Sequence, residues 1–315
     1  MTPLPIYPVE ELRNHFGSRL QEQTSMANYT TMRVGGPADL LVVAQSADEI
    51  EDAARAFAQH GVPYKILGNG SNVLVSDRGV RGAVIINRAH NIRIDVHSNP
   101  PTVYAESGAN LGGVARQVAL RGLSGMEWAA VIPGSIGGAV YGNAGAMGSD
   151  MAHTLVLAEI LHPNLVREIW SCERLEYSYR SSVLKRNPGQ EVILAARLAL
   201  SFSSPAEVQE KMESFSAKRR GTQPPGASCG STFKNPTGDY AGRLIEAAGL
   251  KGTRIGGVMF SPMHGNFIIN DGKGTASEVF QLIQLARTKV KEDFGVQLEL
   301  EIELMGDWSE ELRSK

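Results

Sequence analysis

The sequence GNGSN at residues 68–72 joins two short apolar segments, YKIL at 64–67 and VLV at 73–75. Both apolar segments predict strands, which places the glycines in a strand-to-strand turn. Two glycines let the main chain approach a ligand closely, and successive N–H groups in such a turn form an anion-binding nest. A plain hairpin turn is the alternative that this segment alone leaves open.

This turn differs from the common nucleotide-binding fingerprints. A dinucleotide fingerprint needs a third glycine followed by a helix, whereas here Val73 begins a strand. The chain also contains no Walker A sequence. The segment therefore disfavours both a nicotinamide-dinucleotide dehydrogenase fold and a P-loop nucleotide hydrolase.

A second small-residue segment, IPGSIGGAVYGNAGA, lies at residues 132–146. It belongs to an uncharged run, residues 129–149, that is long enough to cross a bilayer, but its six glycines and Pro133 suit a lipid-facing helix poorly. Its apolar side chains would also make an exposed linker adhesive. We therefore predict a buried loop whose main chain wraps a long, flat ligand.

Length and composition bound the remaining possibilities. A chain of 315 residues with 42% hydrophobic and 20% charged residues predicts a globular protein of two or three packed units. The formal net charge of −2 gives no general attraction to nucleic acid or to an anionic membrane, and we expect neither as a partner. Two cysteines and no visible signal peptide favour a reducing cytoplasm, and we predict no metal site.

Periodicity along the chain predicts an α+β fold without the regular alternation of a doubly wound sheet. The units that we predict are, in chain order, a peripheral segment at 1–28, a ligand-binding domain at 29–203 with lobes at about 29–87 and 100–203, a second domain at 204–306 and a tail at 307–315.

A third segment points to an anionic ligand. The sequence GSTFKNP at 230–236 combines a hydroxyl, a cation and an amide, and Lys218, Arg219 and Arg220 lie just upstream. Oriented donors of this kind suit phosphate or carboxylate groups. Arg180 lies elsewhere in the chain, in the sequence YRSS, and its planar fork can engage a carboxylate through two hydrogen bonds.

The segment at 298–304 alternates leucine or isoleucine with Glu299, Glu301 and Glu303. A strand with this pattern has one apolar face and one acidic face. The residues alone describe a solvated acidic face, and they do not choose among the three carboxylates.

Taken in order, these motifs resemble those of the UDP-N-acetylenolpyruvoylglucosamine reductases, flavoenzymes that make UDP-N-acetylmuramate for bacterial cell walls. The two small-residue segments resemble the FAD-binding domain of the vanillyl-alcohol-oxidase/p-cresol-methylhydroxylase type. The C-terminal region is similar to that of the compact type II subclass of the reductases, and the likeness runs from about Tyr29 to Gly306. The resemblance implies an α+β protein with a two-lobed FAD-binding domain followed by an α+β substrate-binding domain.

The resemblance implies FAD as cofactor, NADPH as the co-substrate that reduces it, and UDP-N-acetylglucosamine enolpyruvate as the substrate. We expect the FAD to be non-covalent, because neither small-residue segment contains the His or Cys that tethers FAD in some oxidases of this fold. The residues implied to bind the cofactor are Tyr29, Thr31, Gly68, Asn69, Gly70, Ser71, Asn72, Pro133, Gly134, Ser135, Gly137, Gly138, Asn143 and Gly145.

Three residues match the family's catalytic positions. The resemblance implies that Ser231 donates the proton and that Arg180 stabilises charge developing on the substrate carboxylate. It selects Glu301, five residues before Gly306, as a group that stabilises the transition state or orients the proton donor. The residues implied to bind the diphosphate and uridine parts of the substrate are Tyr179, Arg219, Lys234 and Asn235, with Arg220 as an alternative to Arg219.

Two other functions remain open at this point. An FAD oxidase of the same fold would consume oxygen readily and would not need the set of Ser231, Arg180 and Glu301. A non-catalytic flavin or nucleotide-sugar sensor would not need it either, although no catalytic position is lost here. We interpret His264 as structural and Cys229 as a small residue in a tight turn.

Overall fold

The computed structural model of the protein describes residues 7–189 and 191–308. Within these residues the helices are α1 (Val9–Phe16), α2 (Ala47–Gln59), α3 (Leu111–Ala119), α4 (Ile136–Gly142), α5 (Val183–Arg186), α6 (Pro205–Thr222), α7 (Ala241–Ala247) and α8 (Ala276–Phe294). The strands are β1 (Gln21–Ser25), β2 (Pro37–Ala44), β3 (Tyr64–Leu67), β4 (Val73–Val75), β5 (Val80–Asn87), β6 (Ile92–Asp95), β7 (Thr102–Glu106), β8 (Leu123–Ser124), β9 (Gly145–Ala146), β10 (Ser149–Asp150), β11 (Leu155–Leu161), β12 (Arg167–Ser171), β13 (Val192–Ala199), β14 (Ser201–Phe202), β15 (Arg254–Ile255), β16 (Val258–Phe260), β17 (Ile268–Asn270) and β18 (Glu303–Met305).

The first lobe is a four-stranded sheet in the order β1-β2-β5-β3, covered by α2. Strands β2, β5 and β3 are parallel, and nearly all residues of β2 and β5 are buried. Helix α2 begins after the cap residue Ser46, whose hydroxyl accepts the Glu49 N–H at 3.2 Å. The apolar face of α2, including Ile50 and Phe57, completes this core.

The N-terminal segment belongs to this lobe and is not peripheral as predicted. Strand β1 pairs with β2 in the antiparallel direction at the edge of the sheet. Leu12 and Phe16 of α1 are buried in the same core as α2. The prediction missed β1 because its sequence, QEQTS, has no apolar residue. Main-chain hydrogen bonds to β2 and side-chain bonds such as that of Ser25 to the Gly35 carbonyl attach it.

The second lobe is a five-stranded antiparallel sheet in the order β12-β11-β13-β7-β6. Helix α3 begins at the cap residue Asn110, whose side chain accepts the Gly113 N–H at 2.7 Å. Helices α3 and α4 share one buried core with this sheet. The second small-residue segment includes α4 and therefore packs against the sheet.

The C-terminal domain packs α7 and α8 around the three-stranded sheet β15-β16-β17. Helix α6 lies outside this core, although the prediction assigns it to the second domain. Its buried residues Val208 and Met212 pack with Ala119 of α3, and Phe215 packs against the core of the second lobe. Helix α6 therefore covers the second lobe, and the predicted boundary at residue 204 precedes the one that the packing shows.

The end of the described chain returns to the first lobe. Strand β18 pairs in parallel with β4, and it is shorter than the strand predicted at 298–304. Trp308 packs against Phe280 at a ring-centroid distance of 5.3 Å, so part of the predicted tail lies in the C-terminal core. Residues 309–315 lie outside the described part of the chain. This return matters for function because β4 directly follows the turn at 68–72.

Candidate active site

The turn at 68–72 has the main-chain geometry of an anion nest. Gly70 has a φ of +60°, and a Cβ there would lie 2.2 Å from the Tyr29 carbonyl oxygen. The Thr31 N–H and hydroxyl both donate to the Gly70 carbonyl, at 3.1 and 3.3 Å. Among the described residues, the N–H groups of residues 69–72 have no acceptor. This leaves four main-chain donors for a ligand, three at half-buried residues and one at the buried Gly70.

The second small-residue segment lies directly against this turn. A Cβ on Gly68 would lie 2.5 Å from the Ser135 hydroxyl, and the Ser71 hydroxyl donates to the Pro133 carbonyl at 3.0 Å. A Cβ on Gly137 would lie 2.8 Å from the Ser107 Cβ. Larger side chains at Gly68 or Gly137 would therefore clash with these neighbours. The open main-chain donors of the first turn, which lies against the second small-residue segment, fit the polar edge and pyrophosphate of FAD.

Two residues predicted to bind the cofactor have other partners inside the protein. Asn143 is 3% exposed, and its amide bonds to Asp150, to the Ser178 carbonyl and to the Ala152 N–H. The Gly145 carbonyl accepts a hydrogen bond from Arg180 at 2.7 Å. These groups hold the segment that carries Arg180.

Arg180 is held in a strained backbone conformation. Its φ is +56°, in the left-handed region that non-glycine residues rarely adopt. Ser178 and Ser181 exchange two main-chain hydrogen bonds of 3.1 Å across the turn that contains it. The Arg180 Nε donates to Glu301 Oε1 at 2.7 Å, and its guanidinium also lies 5.3 Å from the ring centroid of Tyr179.

The structure distinguishes Glu301 from its two neighbours in the alternating pattern. The side chain of Glu301 is 16% exposed, against 74% for Glu299 and 40% for Glu303. The Glu301 N–H donates to the Thr232 carbonyl at 2.9 Å, and its carbonyl accepts from the Asn72 amide at 3.0 Å. The carboxylate that pairs with Arg180 is therefore fixed between the first turn and the segment that follows Ser231.

Ser231 is half-buried and offers an unengaged hydroxyl. It forms an isolated bridge with Phe267, and no hydrogen bond of its hydroxyl falls within the part of the chain described. Asn266 holds the next two residues, since its side chain bonds both the N–H and the carbonyl of Phe233, at 2.9 and 2.8 Å, and its carbonyl accepts the Thr232 N–H. The sequence did not predict this supporting role of Asn266, although the residue lies only two positions after His264.

His264 is half-buried and Cys229 is buried, and each side chain bonds a main-chain group of the protein. The His264 Nδ1 accepts the Asn266 N–H at 3.1 Å, and burial lowers the pKa of this imidazole. The Cys229 thiol is buried and lies 3.2 Å from the Val73 carbonyl oxygen. Burial raises the pKa of Cys229 to about 12, so its thiol is protonated at neutral pH and is not a nucleophile.

Lys234 and Asn235 lie on the segment that enters α7. The Lys234 Nζ is 3.5 Å from Glu299 Oε2, and the Asn235 Oδ1 accepts the Ala241 N–H at 3.1 Å. The amide N–H₂ group of Asn235 has no partner among the residues described. Both side chains can therefore still contact a ligand.

Arg219 lies apart from Lys234 and Asn235, contrary to the grouping that the sequence predicts. It lines a cleft of about 350 Å³ together with Arg116, Asn110 and Pro133. Burial lowers the pKa of the Arg219 guanidinium. Its neighbours come from the FAD-binding lobes, and Arg220 is exposed. The packing thus places Arg219 beside the second small-residue segment, on the cofactor side of the site.

Arg88 is a further basic residue that the sequence reasoning missed. Its Nη1 donates to the Gly68 carbonyl at 2.9 Å, and burial lowers the pKa of its guanidinium. It follows the end of β5 directly, and nothing in its local sequence marks it as a support of the turn. Among the described residues, no group of His, Cys, Asp and Glu has the arrangement of a metal site. No described helix has the length and apolar character needed to span a membrane.

A family model described as an FAD-binding domain matches residues 38–164, which include both small-residue turns. The FAD-binding match, the two lobes and the nest of main-chain donors define the class of protein. It is an FAD-dependent oxidoreductase with an added C-terminal α+β domain. The predicted fold class is confirmed.

A second model, described as the C-terminal domain of UDP-N-acetylenolpyruvoylglucosamine reductase, matches residues 223–305. Curated reductases of this name from Chloroflexus aggregans and Bacillus subtilis are 41% and 40% identical, covering 91% and 95% of this chain and 97% and 98% of their own. The crystal structure of the reductase from Thermus caldophilus aligns with a TM-score of 0.78 at 36% identity, covering 91% of this chain and 99% of that one. The chain belongs to the UDP-N-acetylenolpyruvoylglucosamine reductase family.

Proposed function

We propose that this chain reduces the enolpyruvyl group of UDP-N-acetylglucosamine enolpyruvate, with Arg180, Glu301 and Ser231 as its catalytic residues. Members of the family make UDP-N-acetylmuramate for peptidoglycan, with FAD as cofactor and NADPH as reductant. The observation that carries the proposal is the double attachment of Glu301. Its carboxylate pairs with Arg180 at 2.7 Å, and its main chain bonds both Asn72 of the first turn and Thr232, the neighbour of Ser231.

FAD, when bound between the two turns, supplies the hydride that reduction of a carbon–carbon double bond requires. The residues proposed to hold it are those of the two turns, chiefly through the N–H groups of residues 69–72, since those of residues 136–138 bond Ala109, Ser107 and Ser135. Arg219 contributes positive charge from its cleft beside Pro133, which we propose serves the cofactor. Thr31 links the first turn to the segment before Ser231, since its hydroxyl also donates to the Ser228 carbonyl at 2.7 Å.

Arg180 is placed to stabilise negative charge on the substrate carboxylate. Its Nε and one terminal nitrogen are bonded to Glu301 and Gly145, whereas Nη1 has no partner among the described residues. A guanidinium held at two points loses little entropy when its third nitrogen binds a carboxylate. The cation therefore lies ready where charge develops, which is the condition for electrostatic catalysis.

Ser231 is placed to deliver the proton. A serine hydroxyl is a weak acid, so its proton transfer depends on positioning and on nearby positive charge. Asn266 fixes the main chain after Ser231, and Glu301 is held across from it by the Thr232 carbonyl. We propose that Glu301 orients the hydroxyl or the arginine, and that Tyr179, Lys234 and Asn235 bind the diphosphate and uridine parts.

The visible spectrum of the purified protein under anaerobic conditions tests this function. We expect a yellow protein whose flavin absorption is bleached by NADPH and restored by UDP-N-acetylglucosamine enolpyruvate. Denaturation should release the flavin from the chain, because it is non-covalent. Rapid reoxidation by oxygen with no response to the enolpyruvyl substrate would indicate an oxidase, and reduction without any reoxidation would indicate a sensor. We also propose that the enzyme acts in the cytoplasm, because both of its cysteines are free thiols, as is usual in a reducing compartment.

A further inference from the structure

Each of the three alternating carboxylates near the end of the chain pairs with a cation from another segment. The pairs are Glu299 with Lys234 at 3.5 Å, Glu301 with Arg180 at 2.7 Å and Glu303 with Lys185 at 2.7 Å. The first two cations have roles in the proposed function. Lys185 has none, although its side chain is only 14% exposed.

The surroundings of Lys185 connect it to the catalytic carboxylate. Its Nζ reaches Glu303 Oε1 at 2.7 Å and the Glu301 carbonyl oxygen at 3.5 Å. Its own N–H is held by the Ser182 hydroxyl at 3.2 Å, at the start of α5. An ion pair with one buried partner is screened less by water and salt than a pair on the open surface.

Lys185 and Arg180 lie on one short segment, and Glu303 and Glu301 lie on another. The two ion pairs therefore join the same two segments at two points. With the first pair alone, no other ion pair would hold these two segments together when Arg180 turns toward a ligand, although Gly145 bonds Arg180 and Thr232 bonds the main chain of Glu301. The second pair fixes the spacing of the segments independently of the contact between Arg180 and Glu301.

We propose that Lys185 is a positioning residue for the reduction reaction, acting with Glu303 to hold Glu301 in place while Arg180 binds the substrate carboxylate. This inference rests on the proposed roles of Arg180 and Glu301. Two further contacts assist it, because Asn72 donates to the Glu301 carbonyl at 3.0 Å and the Glu303 N–H donates to the Asn72 carbonyl at 2.8 Å.

The kinetic test uses Lys185→Met and measures the two half-reactions of the loaded enzyme separately. We expect reoxidation by the enolpyruvyl substrate to slow by about 10- to 100-fold, because small displacements of catalytic groups have effects of that size. Flavin reduction by NADPH should stay within about twofold, since it needs neither Arg180 nor Glu301. Lys185→Arg should recover most of the rate. Lys289→Met is the matched control, because Lys289 pairs with Asp293 on the surface of α8 and its loss should slow neither half-reaction.

The structural test needs no turnover. Hydrogen exchange of the segment 298–305 reports the Glu301 and Glu303 N–H groups, which are bonded to Thr232 and Asn72. We expect faster exchange in Lys185→Met and in Glu303→Gln. The double variant should show no further increase, because both changes remove the same ion pair. Lys289→Met should exchange like the unaltered chain.

Three results would each overturn the inference. The first is a Lys185→Met enzyme that reduces substrate at the normal rate, and the second is one that loses both half-reactions equally and is not rescued by Lys185→Arg. The third is unchanged hydrogen exchange of residues 298–305 in Lys185→Met. An unaltered chain that never reduces the enolpyruvyl substrate contradicts the proposed function instead, and the exchange comparison then still decides whether Lys185 fixes Glu301.

Discussion

The two turns of the cofactor site and the three catalytic side chains are built in different ways. The turns at 68–72 and 133–138 are continuous segments, and the first of them presents main-chain N–H groups that have no acceptor among the described residues. Arg180, Ser231 and Glu301 come from three segments that are far apart in the chain and present side chains. A main-chain site can be predicted from local sequence, because glycines and other small residues mark it directly. A side-chain site forms only after distant segments have packed together.

The largest effect should come from a change at the side-chain site. Ser231→Ala removes the proposed proton donor and leaves the turns intact, so we expect the rate of enolpyruvyl reduction to fall by about 10²- to 10⁴-fold. Flavin content and flavin reduction by NADPH should not change. Stopped-flow measurement of each half-reaction checks this. A variant with normal turnover would remove Ser231 from the mechanism and leave the turns as the only supported part of the site.

A change at the main-chain site should instead reduce the flavin content of the protein. Gly70→Val places a side chain where a Cβ would lie 2.2 Å from the Tyr29 carbonyl, at a φ of +60°. We expect loss of bound flavin and a destabilisation of about 3 kcal/mol from backbone strain and steric conflict.

Absorbance of the purified protein and denaturant unfolding measure the two effects. Gly221→Ala is the control, since a Cβ at that helical position meets nothing within 4 Å and should leave both unchanged or add slightly to stability. A yellow, stable Gly70→Val protein would show that the first turn does not need its glycine.

The smallest effect concerns Cys229, which lies between the two kinds of site. Its pKa is raised by burial to about 12 in the folded state, above the value of about 8.5 in the unfolded chain. The folded thiol therefore keeps its proton while the unfolded thiol loses it, and stability falls as pH rises between these values. We expect the free energy of unfolding of the unaltered protein to fall more steeply than that of Cys229→Ala, by about 1.4 kcal/mol per pH unit above pH 9.

Denaturant unfolding of both proteins at pH 8, 9 and 10 measures this difference in slope. The packing that Cys229→Ala removes lowers stability equally at every pH, so it does not change the slope. Turnover at pH 7.5 should be nearly the same in both proteins. Parallel slopes would mean that the Cys229 thiol reaches water in the folded protein.

The sequence predicted the helices and strands with apolar periodicity well. Strands β3 and β4 have the bounds that their short apolar segments at 64–67 and 73–75 predict. Strand β1 was missed because it is polar and attached by main-chain bonds at a sheet edge. Helix α6 was assigned to the wrong unit because its apolar residues show that it packs, but not against what.

The same limits apply to the site. Arg219 was grouped with Lys234 by proximity in sequence, whereas packing sends it to the cleft beside Pro133. Asn143 was predicted to bind cofactor, and its side-chain amide bonds Asp150 and Ser178 inside the protein. An amide or a guanidinium can serve many partners, so its residue type leaves the partner open.

By itself, the sequence determined where a ligand can touch the main chain, because only small residues permit close approach and the glycines are visible as letters. Its alternating pattern also supplied three equivalent carboxylates, which only the resemblance to the reductase family ranked. Only the tertiary structure decided that Glu301 meets Arg180, because a charge acts over a few ångströms and the distance between residues 180 and 301 is set by the pairing of β18 with β4.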